Sequence, residues 1–207
     1  MRKPRQQTSS QKHFPNGHVR IISGLWRGRK LPVHDAQGLR PTTDRVKETV
    51  FNWLAQDIAH AKCLDIFAGS GGLGFECASR QAEHVTLLEL NATAYAQLKT
   101  NIATLKATNI HAINTDAMTY LQQDGQPFDI VFIDPPFRQG LLHQTINLLE
   151  EKGWLAEQAL IYVESEKELA STTFPESWHL YREKNAGQVC YRLFVRNAMT
   201  TEHSEVI

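Results

Sequence analysis

Five short apolar runs recur along the middle of the chain and end near an acid or a turn-forming residue. They are "KCLDIF" (62–67), "HVTLLE" (84–89), "IHAINT" (110–115), "DIVFID" (129–134) and "ALIYVE" (159–164). Helix-periodic stretches at 72–80, 92–106, 117–122 and 141–149 follow the first four. Strands apolar at nearly every position are buried on both faces, and strands alternating with helices must be joined by crossovers. The pattern therefore predicts an α/β, doubly wound, mostly parallel sheet with helices on both sides. Ligand sites of such sheets lie at the carboxyl ends of the strands, where the strand order reverses.

The flanks differ from this core. "SWHLYREKNAGQVCYRLFVRN" reads as two strands around Asn185-Ala186-Gly187, an antiparallel hairpin closing the sheet. "VRIISGLWRGRKLPV" reads as a second hairpin near the start, its two runs flanking the turn-prone "GLWRG". Between this hairpin and the first core strand, Pro41 breaks the chain and Thr42 or Thr43 can cap a helix. Val46, Val50, Phe51 and Leu54 share one face of that helix. The expected division is a basic disordered leader (1–18), a basic N-terminal hairpin (19–40), the α/β domain (41–197) and a flexible tail (198–207).

Net charge is zero, with 22 Lys and Arg against 22 Asp and Glu, but the charges are segregated. Residues 1–47 hold 11 of the basic side chains and only Asp35 and Asp44 of the acids, so they carry 11 − 2 = +9. Such a segment suits a polyanion, and Arg20, Arg27, Arg29, Lys30, Arg40 and Arg45 are the candidate phosphate contacts. A solvated leader explains 1–17 equally well. Cys63, Cys77 and Cys190 are too few and too scattered for a disulfide framework or a zinc site. With no apolar run near membrane-spanning length and no secretory h-region, a cytoplasmic protein without metal is expected.

The first core strand enters "DIFAGSGGLG", where Gly69, Gly71 and Gly74 satisfy G-x-G-x-x-G, and Glu89 ends the next strand 20 residues after Gly69. Glycines let a ligand approach backbone amides at a helix N-terminus, and the acid can accept ribose hydroxyls. Either NAD or S-adenosylmethionine fits that description. Asp65, inside the strand four residues before Gly69, favours a cofactor bearing an ammonium and a sulfonium over a pyrophosphate. Phe67, Ala68 and Leu90 adjoin these groups. Asp116, with Ala117, ends the third run and can face an adenine or cap the helix after it.

"DPPF", Asp134 to Phe137, ends the fourth run and so shares the same crevice. An exocyclic amine on a nucleobase is planar, and its lone pair is delocalised into the ring. The Asp134 carboxylate and the Pro135 carbonyl can accept its two N–H bonds and turn the lone pair toward a methyl donor. Pro135 and Pro136 offer no competing N–H, and Phe137 offers a stacking face for a flipped base. Residue chemistry thus points to methyl transfer onto a nucleobase amine.

"DIFAGSGGLG" and "DPPF" resemble the class I S-adenosylmethionine-dependent amino-methyltransferases. "RIISGLWRGRKLPV", "GLRPTTDRVKETVFNWL", "DPPFRQGLL" and "REKNAGQVCYRLF" resemble more narrowly the bacterial 16S ribosomal RNA guanine-N2 methyltransferases, over residues 20–196. The resemblance implies a seven-stranded sheet with one antiparallel strand and a guanine of small-subunit rRNA as substrate. It implies cofactor contacts at Gly69, Gly71 and Glu89, with Asp116 near the adenine. It places the guanine amine at Asp134, Pro135, Pro136 and Phe137. The expected partner is 16S rRNA within an assembled or assembling small ribosomal subunit, and a monomer is the expected state.

Other readings account for less. A DNA adenine or cytosine amino-methyltransferase would need a target-recognition domain for which the chain has no room. A protein glutamine methyltransferase would more often carry Asn in place of Asp134. An NAD-dependent oxidoreductase leaves the DPPF turn and the basic hairpin without roles, and an RNA-binding module leaves the glycine loop without one.

Overall fold

The computed structural model describes residues 17–33, 44–136, 139–167 and 173–197. The leader up to residue 16, Arg40, Thr42, Thr43, Phe137 and the tail lie outside the described residues.

A seven-stranded sheet is built from β3 (Lys62–Asp65), β4 (His84–Glu89), β5 (Ile110–Asn114), β6 (Phe128–Ile133), β7 (Leu155–Glu166), β8 (Trp178–Ala186) and β9 (Val189–Arg196). Its order is β5-β4-β3-β6-β7-β9-β8. Neighbours from β5 through β7 run parallel, and β9 is antiparallel to both β7 and β8. The chain leaves β3 toward β4 and later returns to pair β6 on β3's other side. The order therefore reverses at β3/β6, and a crevice opens at their carboxyl ends.

Helices α1 (Asp44–Trp53), α2 (Gly72–Ser79) and α3 (Ala92–Leu105) cover one face, and α4 (Ala117–Leu121) and α5 (Leu141–Glu151) the other. Two cores result because successive strand residues point to opposite faces. Cys63, Ile130, Phe132 and Tyr162 belong to the first, with Val50 and Phe51 of α1 and Leu54 just after it. Leu64, Val131, Ile133 and Val163 belong to the second, with Leu142, Ile146 and Leu149 of α5. Each fully buried Leu, Ile or Phe contributes about 1.5–3 kcal/mol relative to exposure. The four residues expected to share a face of α1 are all buried, so the 3.6-residue period was a sound guide there.

Asn91 begins α3, its side chain accepting from the backbone N–H groups of Thr93 and Ala94 at 2.9 and 3.0 Å. This fixes the exit from β4 immediately after Glu89. Among the described residues, no helix is long and apolar enough to cross a membrane.

The basic hairpin forms a separate two-stranded ribbon, β1 (His18–Arg20) and β2 (Lys30–Pro32). Its strands are shorter than the apolar runs suggested, because Ile21 to Arg29 is held by turn hydrogen bonds. Gly28 N–H donates to the Ile21 carbonyl at 2.8 Å, and Ile21 N–H to the Arg29 carbonyl at 2.9 Å. A ribbon this small has too little core to stand alone. Val19, Ile21, Trp26, Leu31 and Val33 bury into the α1–α3 core instead.

Candidate active site

The glycine loop leaves β3 in a tight turn. Ala68 N–H donates to the Leu88 carbonyl at 2.9 Å, and Gly71 N–H donates back to Ala68 at 2.7 Å. Gly69 and Gly71 have φ of +50° and +76°, which L side chains rarely adopt. Gly74 serves packing: a Cβ there would collide with Leu87.

Glu89 is tied to this turn before any ligand arrives. One carboxylate oxygen accepts from Gly69 N–H at 2.8 Å and the other from Asn91 N–H at 2.7 Å. Burial raises its pKa above the ordinary value, and these two amides and that of Leu90 oppose the rise. A carboxylate has about four acceptor positions, and what these amides leave can take a hydroxyl. Leu90, beside it, is 69 % exposed, an apolar surface at the mouth of the crevice.

Asp65 is 2 % exposed and accepts from Gly74 N–H at 3.2 Å. Burial pushes its pKa up to about 7; the Gly74 amide opposes this, the Glu89 charge adds to it, and the Phe67 amide opposes it. A buried carboxyl so close to neutrality gains from a cation, so it fits a cofactor with an ammonium and a sulfonium. Nothing at this position favours a pyrophosphate.

Asp116 is exposed and caps α4, one oxygen accepting from Thr119 N–H at 2.8 Å and Thr119 Oγ1 at 2.9 Å. The cap and an adenine contact are compatible, since the second oxygen takes no part in these bonds. Ala117 follows it into the helix and is buried. Phe67 is half-buried and Ala68 buried in the loop.

At the end of β6, Asp134 is half-buried, Pro135 buried and Pro136 exposed. Phe132, two residues before Asp134, pairs with Asp65 across the sheet. Alternation therefore carries Asp134 to the face that holds Asp65 and Glu89. The three acids lie at the carboxyl ends of three adjacent strands, with Asp65 set two residues back from the level of Glu89 and Asp134.

The hairpin closes this crevice from one side, held by residues the sequence reading passed over. Glu76 in α2, with no exposed surface, accepts from the N–H groups of Ile22 and Ser23 at 2.7 and 3.0 Å and from Arg80 Nε at 2.8 Å. Ser79 Oγ donates to the Ser23 carbonyl at 2.6 Å and accepts from Trp26 N–H at 3.0 Å. Asn101 of α3 donates to the Pro32 carbonyl at 3.0 Å. A small crevice lies where Pro32 and Val33 meet Gly69, Ser70, Ala94 and Leu98.

Arg20, Arg27, Arg29 and Lys30 are exposed on the hairpin, and Arg45 is exposed on α1. Lys47, counted in the positive charge of the N-terminal segment, is not on this surface. It is buried, with Nζ donating to the Arg20 carbonyl at 2.6 Å and pairing with Asp44 at 3.2 Å. Signals for Glu76 and Lys47 existed in the chain: each is a charge on the apolar face of a helix, and such a charge needs a partner.

This strand order, with a glycine turn after β3 and an acid ending β4, defines a class I methyltransferase domain. A family model described as Conserved hypothetical protein 95 matches residues 19–195. The ribosomal RNA small subunit methyltransferase D of Escherichia coli strain K12 is 60 % identical over 186 residues, covering 90 % of this chain and 94 % of that protein. That of Haemophilus influenzae is 57 % identical over 182 residues, covering 86 % and 94 %. The solved structure of yhhF from Escherichia coli superposes with a TM-score of 0.84 at 59 % identity, covering 88 % of this chain and 99 % of that one. The chain belongs to this family, that of the ribosomal RNA small subunit methyltransferases D.

Proposed function

We propose that this chain methylates the exocyclic N2 amine of a guanine in small-subunit ribosomal RNA, using S-adenosylmethionine. The observation that carries the reading is that Asp134-Pro135 and Asp65 stand at the carboxyl ends of the neighbouring strands β6 and β3, with both acids on one face of the sheet. The names borne by its 57–60 % identical relatives support the rRNA substrate.

When bound, S-adenosylmethionine would supply an electrophilic methyl on sulfur to the amine nitrogen, the C–S bond giving way to C–N and the amine proton going to water. Asp65 faces the positive charge, Glu89 takes the ribose hydroxyls, and Phe67, Ala68, Gly69 and Gly71 bring backbone up to the ligand. Leu90, Asp116 and Ala117 adjoin the adenine. Asp134 and the Pro135 carbonyl hold the amine, Pro136 offers no competing N–H, and Phe137 gives the base a stacking face. This is catalysis by orientation and preorganised charge, and it needs no strong base. Arg20, Arg27, Arg29, Lys30, Arg40 and Arg45 hold the phosphate backbone. The hairpin (19–40) serves as RNA grip and 41–197 as the catalytic unit, acting as a cytoplasmic monomer on 16S rRNA within an assembling subunit.

The test uses radiolabelled S-adenosylmethionine with undermodified small subunits, deproteinised rRNA and duplex DNA in parallel. Label at N2 of a single guanine of the small-subunit rRNA is expected. Label confined to DNA would discard the rRNA assignment, and no label with tight cofactor binding would discard nucleic acid altogether.

A further inference from the structure

The acids ending β4, β3 and β6 have a fourth companion. Ile133 of β6 pairs with Val163 of β7 in parallel register, so the next residues, Asp134 and Glu164, lie side by side. Glu164 follows Tyr162 by two residues and so shares its face, the one that holds Phe132 and the α1–α3 core. Across the sheet the sequence of acids is Glu89, Asp65, Asp134, Glu164, matching the strand order β4-β3-β6-β7. Glu89 and Asp65 stand on the cofactor side of Asp134. Glu164 stands on the opposite side, where the target base must lie.

Glu164 is 9 % exposed, and its Oε2 accepts from the Tyr162 hydroxyl at 2.9 Å. Tyr162 is fully buried, and its ring lies 6.0 Å from Phe132 and 6.5 Å from Tyr191. Burial first, then the charges of Glu164 and Asp134, push the Tyr162 hydroxyl well above its usual range. It therefore stays a donor, within electrostatic reach of both carboxylates, and steadies the Glu164 head.

Guanine presents two adjacent donors on its Watson–Crick edge, N1–H and the N2 amine. Adenine presents an acceptor at N1 beside its amine. An acceptor-only group next to the one that holds the amine discriminates between these patterns. We propose that Glu164 accepts N1–H of the target guanine and is a specificity-determining residue of this enzyme. The inference rests on the guanine-N2 reading and extends it to the base's second donor. A purely structural Glu164 that only anchors Tyr162 is the competing account.

The two separate by substrate discrimination. Small subunits are reconstituted with guanine or 2-aminopurine at the target position; 2-aminopurine keeps the 2-amine but has an acceptor at N1. The wild-type enzyme is expected to prefer guanine in kcat/KM by roughly 100-fold or more, since a site built to bond an N–H rejects an analogue lacking it. Glu164→Gln, whose amide can donate to N1, is expected to narrow that ratio at least about ten-fold. An unchanged ratio with both substrates slowed equally would overturn the proposal. Glu164→Asp is the second variant: it keeps the charge but withdraws it, so guanine turnover falls while 2-aminopurine turnover barely moves. Equal loss on both bases would again favour the anchor role. A wild-type enzyme that labels no guanine N2 overturns the functional reading itself, and the inference with it.

Discussion

The Glu76 carboxylate accepts the Ile22 backbone N–H at 2.7 Å across 54 residues of chain, from inside α2 to the turn that follows β1. That bond ties the hairpin to the helix that follows the glycine loop, because α2 begins at the glycine turn. Val19 adds to it, its methyl 3.2 Å from where a Cβ on Gly72 would sit.

Glu76→Ala should therefore loosen both elements together. It leaves Arg80 without its partner and two backbone donors unmet, at a cost of about 3–5 kcal/mol. Chemical denaturation should show the loss, and limited proteolysis should open the chain within 18–33 first. Full stability in the variant would refute the clasp.

Cofactor affinity should rise with pH and then level off. Asp65 faces Glu89 from β4, the Gly74 amide and the Cys77 thiol from α2, and Cys63 on its own strand; burial holds the Cys77 thiol well above its usual range, hence neutral. With its pKa at about 7, Asp65 is largely protonated in acid and repays no cation there. Binding of a sulfonium and an ammonium favours the carboxylate, so it releases a proton, and affinity climbs until the pH passes about 7. For the free protein the sign is opposite. Asp65 contributes stability fully below its ordinary 3.8, and that contribution is lost as pH rises through about 7. Calorimetric titration across pH, repeated with Asp65→Asn, checks this; a pH-independent wild-type affinity would contradict it.

Arg27, Arg29 and Lys30, all exposed, should supply much of the RNA grip. Their joint replacement by Gln should weaken RNA binding and reduce the slope of log K against log salt by about 2–3, since each phosphate contact adds just under one. Stability should change little. An unchanged slope would move the RNA surface elsewhere.

Asp134→Ala should abolish methyl transfer while cofactor affinity stays within a few-fold, because the proposed partner of the cofactor's cation is Asp65 and not Asp134. Single-turnover assays paired with direct cofactor titration separate the two effects. Near-normal turnover would remove Asp134 from the chemistry.

The elements that were legible in the sequence are those set by local rules. Two-sided burial reads as continuous apolar runs, so β3, β4 and β6 were plain, and the glycine turn with Glu89 followed from spacing. Lys47 and Glu76 could be read as charges in need of partners, but not as the hairpin's clasp, because the hairpin groups they hold lie 27 and 54 residues away and are backbone groups that carry no signature. Glu164 was half visible. "ALIYVE" ends in an acid as "DIVFID" does, but only the strand order makes the two acids neighbours. Asp116 carried two readings because a helix cap and a ligand acceptor require the same residue at the same place.

The clasp also sets an order of events during synthesis. β1 and β2 leave the translating ribosome first, yet Glu76, Ser79 and Asn101, which hold them, emerge 40 or more residues later. Until then the ribbon has no core to join and its basic side chains have no fixed spacing. On the proposed function, a nascent chain thus cannot present its RNA grip before the helices that flank the glycine loop have been made.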